Sequence, residues 1–337
     1  MLKKIFFIAI AVFIGLFLCV ATLSARSKKS LTKPTLSVVA TIFPEYDWAR
    51  EILGDKISQT ALTLLLDNGV DLHSYQPSVK DIAKIADCDV FIYVGGESDK
   101  WVADALKNAR NKNMQVVNLL EVLGDRVREE EIVEGMQADE DHDHDEHHED
   151  GESEDEEESE ADEHVWLSLK NAQILVSEIA SALSNADSAN SSYYRANANA
   201  YNAKLDALDK KYSEATKAAK TKYVLFGDRF PFRYLTDDYS LSYYAAFVGC
   251  SAETEASFET IAFLSKKLNE LKLGAVCQIE SSDGKIAKTI IQTSKANGVK
   301  ILTLDSLQST TSRDIKKGQT YLKAMSENLD VLKAALN

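Results

Sequence analysis

At 337 residues, 45% hydrophobic and 27% charged, the chain has room for two ordinary domains and lacks the composition of a disordered protein. Its net charge of −15 is local, because residues 139–163 hold 17 acids and no Lys or Arg, which leaves the remainder at +2. No stripe of Lys and Arg interleaved with aromatics occurs, so nucleic-acid binding has no support.

Lys3 and Lys4 precede an apolar run from Ile5 to Leu23, relieved only by Gly15, Cys19 and Thr22, with Ser24 and Ala25 behind it. This reads as a signal peptide or an uncleaved membrane anchor, and the polar stretch Arg26–Lys33 as a linker. Cys19, with Leu16 three residues before it, stands where a lipid-modified cysteine would, although Phe17 and Leu18 are bulkier than usual there. Residues 1–35 are therefore expected to export the chain and tether it to the membrane.

From Leu36 onward, short β-rich runs alternate with helical stretches. Strands are predicted at Leu36–Thr41, Ile57–Leu66, Val90–Val94 and Val116–Leu119, and helices at Pro44–Leu53, Pro77–Ala86 and Lys100–Asn111. Strands separated by helices of this length imply βαβ units on a parallel sheet, giving an α/β lobe over 36–138. Periodicity is lost from Leu123 to Glu163, and residues 139–163 form an acidic, His-rich loop. Helices are predicted at Asn171–Leu183 and Tyr193–Lys220, within a helical connector over 164–220. The second helix would run about 40 Å, enough to cross a whole domain. Alternation then resumes in a second α/β lobe over 221–337. Its predicted strands are Tyr223–Phe226, Ser242–Phe247, Ala275–Ile279 and Lys300–Leu304; its predicted helices are Phe258–Leu271, Lys285–Asn297 and Asp314–Leu336. Two lobes joined this way place their loop ends face to face around a cleft.

Six histidines carry most of the chemical information. His142, His144, His147 and His148 lie in DEDHDHDEHHED, where imidazole and carboxylate together suit loose zinc binding by a tract with nothing apolar to order it. His73 stands in the turn-rich loop DNGVDLHSYQPS, and His164 in ADEHVWLSLKNA at the start of the connector; neither lies on the apolar face of a helix. Outside the leader, Cys88, Cys250 and Cys277 are too scattered for a zinc knuckle. They read either as a Cys250–Cys277 bridge with Cys88 buried, or as three free buried thiols.

The strings VVATIFPEYDWAREILGD, Asp71–Pro77 as D-x-H-x-Y-x-P, HVWLSLKNA and ILTLDSLQS together resemble the zinc/manganese solute-binding proteins of bacterial ABC importers over residues 36–337. The His-rich loop resembles the zinc branch of that family. The resemblance implies two lobes joined by a rigid helix, little hinge motion, and a monomer that delivers its metal to a permease–ATPase complex. It also implies a site of two histidines, a histidine or glutamate, and a carboxylate. His73 and His164 match the first two. In FGDRFPFRYL a gap-free match puts Arg229 at the third position, where it cannot ligate a cation, and a one-residue shift offers Asp228. Asp305 in LTLDSLQS matches the late carboxylate, and Glu280 at the end of VCQIE is a neighbouring acid able to replace it. Such an N2O2 site accepts Zn²⁺, while its hard oxygens move selectivity toward Mn²⁺ or Fe²⁺. HVWLSL lacks the Asp-Pro that the family usually carries after the Leu, which is expected to change helix entry rather than coordination.

An enzyme is disfavoured, since H-E-x-x-H, G-x-S-x-G and a glycine-rich phosphate loop are all missing from the sequence. A metal-dependent adhesin or scavenger of the same fold stays open as a rival. Because ligating histidines must be neutral, metal affinity is expected to fall as pH drops through about 6.5.

Overall fold

The computed structural model describes residues 34–137, 160–251 and 255–337, so the leader and the four histidines of the acidic tract lie outside the described residues. Among the described residues, no helix is long and apolar enough to cross a membrane.

The first sheet contains β1 (Leu36–Ala40), β2 (Thr60–Leu64), β3 (Val90–Tyr93) and β4 (Gln115–Asn118) in the order β2-β1-β3-β4, all parallel. Val38, Ala40, Val90, Phe91 and Ile92 are fully buried, as expected of parallel strands covered on both faces. Helices α1 (Phe43–Leu53), α2 (Val79–Asp87), α3 (Trp101–Lys107) and α4 (Leu119–Leu123) connect or follow these strands. At the start of α1, Pro44 supplies the preset φ, and the buried Glu45 carboxylate accepts from the backbone N–H groups of Thr41 (2.8 Å) and Ile42 (3.2 Å). The first three residues of the predicted Ile57–Leu66 strand instead belong to a 3₁₀ turn, Gly54–Gln59.

Two helices then join the lobes, α5 (Leu169–Ala186) and α6 (Ser191–Ala218). Tyr194, Ala198, Tyr201, Leu205, Leu208, Tyr212 and Thr216 bury one face of α6 at intervals of three or four residues. With 28 residues, α6 is about 42 Å long and packs on α5, on α1 of the first lobe and on α11 (Tyr321–Ala335) of the second. Tyr212 ties the second contact by donating to the carbonyl of Met325 at 2.6 Å. One apolar core extends through both lobes and this connector.

In the second lobe, β5 (Tyr223–Leu225) pairs with β7 (Ser242–Tyr244), and β9 (Ala275–Ile279) with β10 (Lys300–Leu304), all parallel. The Phe226–Cys277 bridge joins the two pairs. The predicted strand Ser242–Phe247 is split. Asp228 O accepts from Ala246 N and Phe247 N, and the chain passes from β7 into β8 (Phe247–Val248), which pairs with β6 (Arg229–Phe230). α7 (Arg233–Asp238) was not foreseen, whereas α8 (Phe258–Glu270) and α9 (Lys285–Ser294) match the predicted runs. The predicted helix Asp314–Leu336 is divided into α10 (Ser312–Lys316) and α11, because Gly318 takes φ +94° and Thr320 caps the second helix by accepting from Lys323 N.

Gly227 sits where a Cβ would lie 2.6 Å from Ala287 Cα and 2.8 Å from its N, both backbone atoms of α9. Gly227→Ala is expected to cost about 1–3 kcal/mol by overpacking, read as a lower urea midpoint with an unchanged slope.

Candidate metal centre

His73 is presented by a 3₁₀ turn, Leu72–Ser74, in the loop between β2 and α2. Asp71 caps that turn, its Oδ1 accepting from His73 N at 3.1 Å. The imidazole is oriented from behind: Nδ1 lies 2.8 Å from Ser98 Oγ and 3.5 Å from Glu163 Oε2. Glu163 is itself fixed by Ser98 N, which donates to Oε1 at 2.8 Å.

His164 opens the 3₁₀ turn Val165–Leu167, all of it buried. The turn is held across long sequence distances. Trp166 Nε1 donates to Ser306 O at 2.9 Å, and Tyr321 Oη donates to Trp166 O at 2.6 Å. His164 Nδ1 donates to Asp162 Oδ1 at 2.9 Å, and the Asp162 carbonyl accepts from Tyr234 Oη at 2.7 Å. A carboxylate partner on Nδ1 leaves Nε2 with its lone pair free, the second-shell arrangement typical of a metal-ligating histidine. Ser168, in place of the Asp-Pro of the family strings, caps α5 by accepting from Asn171 N at 3.0 Å.

The two imidazoles meet with His73 Nε2 and His164 Nε2 3.3 Å apart. Two nitrogens held about 2.0–2.1 Å from one tetrahedral zinc are separated by about 3.3–3.4 Å, so this spacing needs no adjustment. A third ligand atom joins them. Cys250 Sγ, His73 and His164 form a group whose ligand atoms all lie within 4.8 Å of one another. The β6–β8 ladder delivers Cys250, and Gly249 lets the turn close on the ring, since a Cβ there would stand 3.0 Å from His164 Cε1.

The electrostatics suit a cation. Burial first, then His164, holds His73 down at about 3, with Asp71 opposing and Arg229 adding to the effect, so the ring is neutral at pH 7. Burial pushes Glu163 up to about 7 against its Ser98 hydrogen bonds. Cys250 is raised well above the ordinary thiol value by burial and then by Glu130, whose Oε1 accepts from Cys250 N at 3.1 Å. Glu130 is raised in turn, chiefly by burial.

The three carboxylates singled out in the sequence make their hydrogen bonds elsewhere. Asp228 Oδ1 accepts from Arg229 N at 2.9 Å, and its other oxygen faces Ile279 N and Ser282, bracing the turn between β5 and β6. Glu280 accepts from Ser306 N, Ser306 Oγ and Ser309 Oγ at 2.7–2.9 Å. Asp305 accepts from Leu307 N at 2.8 Å. Glu280 and Asp305 share a separate cavity of about 330 Å³, also lined by Thr310, Lys317 and Gln319. Arg229 forms an ion pair with Asp71 at the edge of the histidine pair. Cys88, Cys250 and Cys277 are all free thiols, so the Cys250–Cys277 bridge is not formed. Cys250 as a potential ligand was missed in the sequence. The available signal was a thiol in the turn VGCS directly after a strand, the same kind of placement that singled out His73.

The last four residues of the predicted acidic loop, 160–163, make defined contacts. Glu160 O accepts from Glu130 N, Ala161 bridges Glu129, and Asp162 and Glu163 support the two histidines. A deletion meant to remove the His-rich tract must stop short of Glu160, or it takes away part of the site.

The family model described as zinc-uptake complex component A, periplasmic (ZnuA), matches residues 38–335. The zinc-binding lipoprotein AdcA of Streptococcus pneumoniae serotype 4 (strain ATCC BAA-334 / TIGR4) is 33% identical over 320 residues, covering 94% of this chain and 59% of that protein. The chain thus spans under three fifths of the length of this relative. The high-affinity zinc uptake system protein ZnuA of Bacillus subtilis (strain 168) is 31% identical over 301 residues, covering 89% of this chain and 88% of that one. Among solved structures, the Zn(II)-bound ZnuA-like domain of S. pneumoniae AdcA superimposes with TM-score 0.67 at 28% identity, covering 89% of this chain and 98% of that one.

Proposed function

The chain belongs to the zinc-uptake complex component A family, and from that premise we propose that it captures Zn²⁺ through His73, His164 and Cys250 outside the cytoplasm and passes it to an ABC importer. The observation that carries this reading is the 3.3 Å approach of two Nε2 atoms, each backed on its Nδ1 by an oxygen, with a thiol beside them. Two imidazoles and a thiolate are borderline-to-soft ligands that favour zinc over the oxygen-seeking Mn²⁺. The zinc-named relatives support the same metal. Three protein ligands leave a fourth position for water, and a site open on one side can exchange its ion where a closed four-ligand site would hold it.

In this reading Asp228, Glu280 and Asp305 stay outside the coordination shell and brace the second-lobe loops. The His142, His144, His147 and His148 tract gathers zinc loosely and raises its concentration beside the site. The leader, by lipid on Cys19 or as an uncleaved helix, tethers a monomer close to the permease and ATPase. Because α6 is packed against both lobes, uptake and release proceed by movement of the His73 and Cys250 loops more than by hinge closure.

Cobalt in place of zinc tests the ligand set. The intact protein should give a thiolate-to-cobalt charge-transfer band in the near ultraviolet, and Cys250→Ser should lose it while still binding cobalt through its histidines. A wild-type cobalt complex without that band would remove Cys250 from the site.

A further inference from the structure

Arg229 is the one cation brought up to the proposed ligand group by an ion pair among the described residues, and its partner is the residue two positions before His73. One Asp71 oxygen pairs with Arg229 Nη2, and the other accepts from His73 N. That second oxygen lies only 3.9 Å from His73 Nε2. Ligand atoms sharing a tetrahedral ion stand about 3.3 Å apart, so Asp71 stands near ligand spacing from His73 while lying outside the group of His73, His164 and Cys250. Arg229 opposes a further approach of Asp71 to that group. It projects from β6 of the second lobe, and its Nη1 lies 3.5 Å from Ser251 O beside Cys250.

Building on the His73–His164–Cys250 reading, we infer that Arg229 is a selectivity-determining residue that holds Asp71 out of the coordination shell. With Asp71 engaged, the ion meets two nitrogens and a sulfur. With Asp71 released, it meets an added anionic oxygen, which hard, higher-coordinate Mn²⁺ gains from more than Zn²⁺ does. Arg229 touches no ligand atom in this scheme and acts by position alone.

The test is competitive Zn²⁺ and Mn²⁺ titration of the full chain, together with the cobalt spectrum. The thiolate band of the wild type establishes the underlying site, and its failure to appear would overturn that reading instead of this one. Given the band, Arg229→Ala should move the Zn²⁺-to-Mn²⁺ affinity ratio toward Mn²⁺ by about tenfold, the lower end of what groups behind the ligands contribute. Its cobalt d–d bands should weaken as coordination number rises. Arg229→Lys, which keeps a point charge for Asp71, should restore the ratio. Adding Asp71→Asn to Arg229→Ala should cancel the shift. An unchanged ratio in Arg229→Ala, equal loss of both metals, or a shift that survives Asp71→Asn would each overturn the inference.

Discussion

Replacing His164 with alanine should weaken zinc binding by about 10²–10³-fold and destabilise the zinc-free protein, whereas His73→Ala should do only the first. Structural zinc sites gain about 10–16 kcal/mol from some four ligands, so one ligand carries roughly 3–4 kcal/mol, or two to three decades in Kd. The second effect separates the two variants. His164 is fully buried, packs against Trp166 and Gly249, and satisfies the buried Asp162 carboxylate through both its Nδ1 and its backbone N–H. Truncating it leaves one of those bonds unmade, a penalty of about 1–3 kcal/mol. His73 lies on a turn nearer the surface, and its side chain spans the gap between loops that stand on their own hydrogen bonds. Competition against a chromogenic chelator reads the affinity, and urea denaturation with metal removed reads the stability. Zinc affinity retained in both variants would move the site to the acidic tract. Equal stability of the two would mean that the Asp162–His164 pair contributes nothing structural.

The zinc affinity of the intact protein should fall at least tenfold for each pH unit lost through neutrality. Sequence alone placed this dependence near 6.5, the ordinary value of a histidine. The structure takes the His73 share of it away from neutrality. His73 is held at about 3, so proton competition at that ring begins far below neutrality. The Cys250 thiol is instead raised well above its ordinary value, and a metal must expel its proton at every pH below that. Cys250→Ser should therefore take about one decade per pH unit out of the slope, measured by competition titration between pH 6 and 8. An identical slope in the serine variant would sink the assignment of the thiol. The metal-free protein has its own pH dependence. His73 has a lower pKa folded than unfolded, so the unfolded chain takes up the proton first. The stability this contributes is full above about 6.5 and is lost as pH falls toward 3. His73→Ala should remove that component of acid destabilisation.

The parts of the molecule legible in the sequence are those fixed by local pattern. The apolar alternation of the first lobe gave its parallel strands within a few residues, because buried strands read as continuous apolar runs. The three-to-four-residue spacing of Tyr194, Ala198, Tyr201 and Leu205 gave α6. The family strings pointed to His73 and His164, whose loop positions adjoin recognisable strands and helices. Local pattern failed at the jog between β7 and β8, which depends on the distant Asp228 O. The break before α11 follows a left-handed Gly318, a local stop signal that the predicted Asp314–Leu336 helix ran through.

By itself, then, the sequence determined the α/β class, the connector, and the two histidines as candidates. Only the tertiary structure decided what stands beside them. Which oxygen or sulfur can face an ion depends on ångström-scale side-chain direction, set in most of these cases by partners distant in sequence. Asp228, Glu280 and Asp305 accept from Ile279, Ser306 and Leu307, Arg229 pairs with Asp71, and Cys250, just after the β6–β8 ladder, stands beside the imidazoles. A carboxylate in a loop looks the same in sequence whether it faces a metal or a backbone N–H. The hydrogen bonds that tell these apart are made only when the chain has folded.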